Sequence, residues 1–257
     1  EVQNEPALGK YDDPYALRDA GLEVIAQFDH HGMHDVMFHG PNFHRPRDTA
    51  SWGSVWLANP TLRDRTAAVS YHTWWDNEYT YYAQIRDLAA QYDKPVWATE
   101  VGYIATDIHP ETWDEAWDYA ESHYRALAWS DASRTYHWTV IGHDAAIGKN
   151  GEKLPTFYML KHFANFIPPD AVRLETTSPD SGILPLAFQL PDGKFSVILM
   201  NASGTSKQVD VGFTTGIAAT AVEAYRTTEG SYEVSLGAIT PDPSGQLVMT
   251  LPRESIS

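Results

Sequence analysis

Cysteine is absent from the 257 residues. Disulfides, thiolate metal sites and a cysteine nucleophile are therefore excluded. Basic residues are scarce: 18 Lys and Arg stand against 34 Asp and Glu, a formal charge of −16. So acidic a surface repels phosphate backbones and anionic lipid heads, which argues against nucleic acid and membranes as partners. No apolar run reaches the roughly 18 residues of a membrane-spanning helix. A glycine-rich phosphate loop and a Gly-X-Ser-X-Gly elbow are also missing. Nucleotide binding and the commonest serine-hydrolase arrangement are thus without a motif. What is present is ordinary for a folded chain: 43% hydrophobic and 20% charged residues. Aromatics reach 12%, with 9 Trp and 14 Tyr, a mild pointer to carbohydrate. The chain begins at Glu1 rather than methionine, so it reads as processed or cut.

The first two thirds alternate helix and strand. Asp13 and Pro14 open a helix toward Gly32, and the run Asp35 to His39 reads as a short strand closed by Gly40-Pro41. Residues 51–65 read as irregular and helical. Further strands are expected at Ala67–His72, Val96–Glu100 and Thr135–Ile141. Helices are expected at Asn77–Tyr92, Glu111–Trp129 and Pro155–Phe166. Repetition at this spacing, with short apolar strands, reads as βαβ units on a parallel sheet. After Pro168-Pro169 the pattern turns to short alternating runs, among them Leu186–Leu190, Phe195–Met200, Gln208–Phe213, Ala221–Tyr225 and Leu247–Leu251. That pattern reads as an antiparallel β-sandwich. The expected division is 1–172 and 173–257.

Two glutamates stand out. Glu5 lies in Gln3-Asn4-Glu5-Pro6, and a residue before proline is pushed toward extended backbone. Glu100 closes the apolar run Val96-Trp97-Ala98-Thr99. In an α/β barrel, the C-terminal ends of strands face the active site. Both carboxylates are therefore expected at a cleft, against the rival reading of ordinary surface groups.

These motifs resemble the clan of retaining glycosidases built on the (β/α)8 barrel. The passage from Thr156 to Arg173, the run Leu199-Met200-Asn201 and the ending Leu251 to Ile256 look most like glycoside hydrolase family 30. The resemblance implies a partial (β/α)8 barrel, from the end of strand 4 through strand 8, followed by the sandwich. It implies that Glu5 is the acid/base and Glu100 the nucleophile of a double displacement, with carboxyl groups about 5–5.5 Å apart. Glu5 is then expected to hold its proton more tightly than Glu100. Asn4 is implied to bind the sugar 2-hydroxyl. His72, ending strand 6, is a neighbour of the nucleophile or a satisfied structural histidine. Trp138 on strand 8 is a sugar platform or a core tryptophan. Trp74, with Trp75, builds a further platform or packs on the rim. His39, at the end of strand 5, points to the mouth if the strand register holds. The cluster Asp29-His30-His31-Gly32-Met33-His34 invites a metal reading, but it lacks a zinc-helix glutamate and sits where a helix ends. Neither a metal nor another cofactor is expected.

The family's strands 1 to 3 have no counterpart here. A half barrel leaves open sheet edges, which proteins avoid. Three explanations follow: a fragment, two copies that close one barrel, or a truncated gene product. The expected partners are a β-glycoside or β-glycan and either a second copy, as a homodimer, or a complementing N-terminal fragment. The expected activity is a retaining β-glycosidase in a secreted setting; the alternative is a weakly active or inactive carbohydrate-binding remnant. The acidic chain lightly disfavours a glucuronate-decorated xylan, which would want a basic subsite.

Overall fold

The computed structural model describes residues 1–6, 8–9, 11–103, 109–142, 145–214 and 219–257. The chain forms two compact units. One comprises Glu1–Ile108 with Glu121–Val140, and the other His109–Ala120 with Ile141–Ser257.

The first unit carries four parallel strands in the order β1 (Phe38–Phe43), β2 (Thr66–His72), β3 (Val96–Val101) and β4 (Ala132–His137). Helices α1 (Pro14–His30), α2 (Pro46–Ala58), α3 (Pro60–Asp64) and α4 (Tyr79–Gln91) alternate with them, and α5 (Trp113–Trp129) belongs to this unit from Glu121 onward. Helix α1 begins where the sequence predicts. Proline at the first turn has no N–H to lose, and the Asp13 carboxylate accepts from the Tyr15 and Ala16 amides. Its Gly21 lets α2 approach closely, since a Cβ there would lie 2.6 Å from the Trp56 ring. Leu17, Ile25, Trp56, Leu57, Leu62, Tyr82, Ile85 and Leu88 form one buried cluster with Phe38, Val69, Tyr71, Val96 and Ala98 of the strands. Val96 and Ala98 thus face the helices. By the two-residue period of a strand, Trp97 and Thr99 turn to the other face.

Two strands depart from expectation in register. β1 runs through Gly40-Pro41 to Phe43 instead of ending before it. It is an edge of this sheet, where a proline without an N–H breaks no ladder. β4 begins at Ala132, paired with Val96, and ends at His137 instead of Ile141. The chain enters it directly from α5 through Asp131, whose φ of +58° makes the turn. Glu1 to Glu5 form no ladder, yet the Glu5 amide donates to the Asn42 carbonyl on β1 at 3.2 Å. The tail of a preceding strand would lie there. Glu5 itself is not extended: its φ is +49° and its carbonyl accepts from the Leu8 amide, so a turn overrides the restriction imposed by Pro6.

The second unit contains helix α6 (Pro155–Phe166) and the antiparallel strands β5 (Val172–Leu174), β6 (Ile183–Gln189), β7 (Phe195–Asn201), β8 (Lys207–Val211), β9 (Val222–Thr228), β10 (Ser231–Ile239), β11 (Leu247–Leu251) and β12 (Ser255–Ile256). Six form a sheet in the order β10-β9-β12-β7-β6-β5, and β11 pairs with β8. Ile183 and Leu199 of the larger sheet pack with Met249 and Leu251 of the smaller one, which makes this a sandwich. Asn201 is fully buried, and its side chain donates to the carbonyls of Thr205, Leu251 and Pro252. The chain is therefore a partial (β/α)8 arrangement followed by an antiparallel sandwich, as expected.

Candidate active site

The C-terminal ends of β2 and β3 bring His72 and Glu100 side by side, as register partners. The turn at Glu5 adds a second carboxylate. His72 Nδ1 lies 3.0 Å from Glu5 Oε1 and 3.3 Å from Glu100 Oε2. Ligand atoms of the three side chains all lie within 4.8 Å of one another. His72 is fully buried, whereas both glutamates keep part of their surface open. Beside them a cleft of about 300 Å³ is lined by Glu1, Asn4, His39, Asn42, His72, Trp97, Thr99, Glu100 and Tyr136.

Burial dominates the electrostatics. Glu100 is pushed up to about 7 by desolvation, opposed by a hydrogen bond from Trp74 and reinforced by the nearby Glu5 and Glu1. Glu5 is also raised, by burial first and Glu1 second. Both carboxyls are therefore shifted toward their neutral forms. Glu100 lies in the more enclosed position, and among the described residues no Lys or Arg pairs with either carboxylate. Two such groups titrate as a coupled pair. His72 moves the other way, down to about 3, through burial and the neighbouring His44 and His39. It is therefore a neutral imidazole at ordinary pH.

The anticipated residues fall into two groups. Glu5, Glu100, His72, Asn4, Trp74 and His39 gather at one place. Trp74 Nε1 donates to Glu100 Oε2 at 3.1 Å, so it touches the carboxylate directly. Its ring fits because residue 102 is glycine: a Cβ there would lie 2.2 Å from the indole. Asn4 Oδ1 accepts from Asn42 at 3.2 Å. His39 lines the cleft but not at a strand end. The shifted register makes it the second residue of β1, where Nδ1 lies 3.0 Å from Ser70 Oγ. Trp138 does not line the cleft. It follows β4 with its amide on the Val101 carbonyl, and at 45% exposure it is no core tryptophan. Trp75 packs edge-on against His44 and under Arg45 at the rim.

Glu1, Asn42, Thr99, Trp97 and Tyr136 were not anticipated. Period-2 counting back from Glu100 points to Ala98 and Val96, which face the helices; Trp97 and Thr99 share the cleft with Glu100 because the pairing of β3 is irregular after Ala98. Asn42 carried no signal either, because the Gly40-Pro41 pair before it reads as a strand end.

Glu5, His72 and Glu100 are the group among the described residues whose spacing suits a metal ion. The Asp29 to His34 cluster is a solvated helix end: His34 and Arg65 both contact the Asp29 carboxylate, at 3.2 and 2.7 Å.

Parallel strands that present carboxylates at their C-terminal ends, followed by a sandwich, resemble the barrel glycosidases as a class. Residues 170–256 match the family model described as the glycosyl hydrolase family 30 beta sandwich domain. A glucuronoxylanase, XynC of Bacillus subtilis, is 28% identical over 120 residues, which is 44% of this chain and 27% of that protein. The solved family 30 endoxylanase of Clostridium papyrosolvens superposes with a TM-score of 0.81 at 19% identity, over 99% of this chain and 63% of its own. A family 30 subfamily 8 xylanase of Clostridium acetobutylicum gives 0.77 at 15% identity, with the same coverage. The resemblance to glycoside hydrolase family 30 is borne out. The chain spans under two thirds of the length of each of these relatives.

Proposed function

We propose that this protein is a retaining β-glycosidase acting on a β-glycan, with Glu100 as nucleophile and Glu5 as acid/base. The observation that carries this reading is the separation of the two carboxylates. Their facing oxygens lie within 4.8 Å of one another, close to the about 5–5.5 Å that separates the carboxyl groups of retaining enzymes. The separation fits attack by a carboxylate rather than by water held on the opposite face, which needs about 6.5–9.5 Å. In the singly protonated pair, Glu100 attacks the anomeric carbon while Glu5 gives its proton to the leaving oxygen. Glu5 then takes a proton from the water that releases the sugar. Asn4 is assigned to hold the sugar within the cleft and Trp138, exposed just after β4, to hold it outside the cleft, with Trp74, His72 and His39 around the reacting pair. The named xylanases make xylan the first substrate to try. A secreted setting accords with such a polymer, and no helix is long and apolar enough to cross a membrane among the described residues. We assign residues 1–172 to the catalytic part and 173–257 to the sandwich.

The rival reading is a remnant with little turnover. It draws on β1 and β4, each paired on one side only among the described residues, and on carboxylates without a cation beside them. A second copy, or an N-terminal fragment that supplies further strands, would close those edges. Hydrolysis of xylan and of nitrophenyl β-glycosides separates the two. Activity lost in both Glu5→Gln and Glu100→Gln supports the enzyme, and azide should rescue Glu100→Gly with an inverted product. Unchanged hydrolysis in either glutamine variant overturns the assignment, and no hydrolysis by the native protein favours the remnant.

A further inference from the structure

Asn42 has no part in the reaction just described, yet its carboxamide joins the residues that do. It is 2% exposed and sits on β1 with a φ of +63°, in the left-handed region that Asn tolerates better than most residues. The Thr99 hydroxyl donates to its Oδ1. Its Nδ2 faces a Glu1 carboxylate oxygen, Asn4 Oδ1 at 3.2 Å and His72 Nε2 at 3.1 Å. This surround fixes which end of the amide is which. Turned over, Asn42 would press its carbonyl oxygen against the Glu1 carboxylate.

With Nδ2 toward His72, Nε2 of the imidazole must offer its lone pair. A neutral imidazole carries one hydrogen, so that hydrogen sits on Nδ1. There it meets Glu5 Oε1 at 3.0 Å and Glu100 Oε2 at 3.3 Å. We propose that Asn42 is a positioning residue that locks His72 as the Nδ1–H tautomer, which makes the imidazole a fixed donor shared by the two candidate catalytic carboxylates. This deepens the retaining-glycosidase reading and rests on it for its catalytic meaning.

A shared donor suits a double displacement. Before attack the charge is on Glu100, and the N–H serves that oxygen. Once the glycosyl bond to Glu100 has formed and Glu5 has given up its proton, the charge is on Glu5. The same N–H then serves Glu5 without any rotation of the ring. The lock also keeps His72 from acting as a base or as a metal ligand through Nδ1. Besides the two glutamates, the groups acting on His72 are His39 and His44, which together with burial oppose its protonation.

The test is a long-range proton–nitrogen correlation spectrum of histidine-labelled protein at pH 7, with His72 assigned by its loss in His72→Gln. The native protein should show the Nδ1–H pattern. Asn42→Asp replaces the amide donor with an acceptor, and should move His72 to the Nε2–H or the doubly protonated pattern. Asn42→Ala should lower kcat about 10- to 100-fold with KM little changed. An Nε2–H pattern in the native protein overturns the proposal, and it needs no variant to fold. So does a pattern unchanged in Asn42→Asp. Because the spectrum needs no substrate, the expected pattern in a protein that hydrolyses nothing supports the lock and counts against the glycosidase reading alone.

Discussion

The indole N–H of Trp74 donates to Glu100 at 3.1 Å, and it reaches that oxygen because residue 102 has no side chain to stand in its way. One hydrogen bond thereby works against the burial that pushes Glu100 toward its neutral form. A nucleophile must be ionised, so the balance between these two effects sets the pH at which the proposed reaction begins.

Trp74→Phe removes the donor and keeps most of the ring. A hydrogen bond to a charged group contributes about 1.5–3 kcal/mol, so kcat/KM on the acid side should fall about 10-fold or more. The acid limb of the pH profile should move to higher pH. A limb that stays in place would show that the indole does not favour the carboxylate.

Gly102→Ala places a methyl group 2.2 Å from the Trp74 ring. The ring must move, at a cost of about 1–3 kcal/mol in stability. The damage to activity should travel through Trp74. In a double-mutant cycle, Gly102→Ala should therefore add little to Trp74→Phe in kcat/KM. Additive losses would mean that residue 102 acts by some other route.

Glu100 stands at about 7 in the fold against 4.5 for a free glutamate, so its contribution to stability is complete below about 4.5 and is lost as pH rises through 7. Glu5, also raised, acts in the same sense. His72 is opposite: at about 3 against 6.5, its contribution is present above 6.5 and lost as pH falls through 3. Glu100→Gln removes the first effect. The variant should gain on the native protein between pH 4.5 and 7, by up to about 3 kcal/mol. Thermal melts across that range measure it, and a constant gap in melting temperature would contradict the assignment.

Asn201→Ala leaves the buried carbonyls of Leu251 and Pro252 without their donor, together with the Ser203 amide and hydroxyl that Asn201 Oδ1 accepts. Orphaned buried groups cost about 1–3 kcal/mol each. Denaturant titration should show a loss of at least about 2 kcal/mol, with no change in the pH profile of any activity.

The strands β1 and β4 each leave one edge unpaired among the described residues. Sedimentation at micromolar concentration should find a dimer, because open parallel edges gain by pairing. A monomer that stays in solution would remove the second copy as the partner and leave the complementing fragment.

Much of the first unit could be read from local pattern. The Asp13 cap and Pro14 mark the start of α1, and α6 has the predicted bounds. Glu100 and His72 were legible because each stands at or next to the end of a short apolar run. β1 was misplaced for an equally local reason: Gly40-Pro41 ends most strands and is tolerated here only because the strand is an edge. That single shift hid Asn42, whose side chain meets His72 at 3.1 Å. Glu5 was found by its Asn-Glu-Pro context, although its backbone is a turn rather than the extended form that context predicts.

The sequence alone determined the order of helices and strands, the change from parallel to antiparallel architecture near Pro168, and which carboxylates end up beside strand ends. Those properties depend on neighbours within one or two turns of chain, through capping, side-chain period and the missing N–H of proline. Tertiary structure decided the rest. His72 meets Glu5 across 67 positions and Asn42 across 30, and Trp74 meets Glu100 across 26. Which nitrogen carries a proton, and how tightly Glu100 holds one, follows from those contacts and from the water they exclude. A charge or a hydrogen bond has no fixed worth until burial has set what competes with it, and burial is a property of the folded chain.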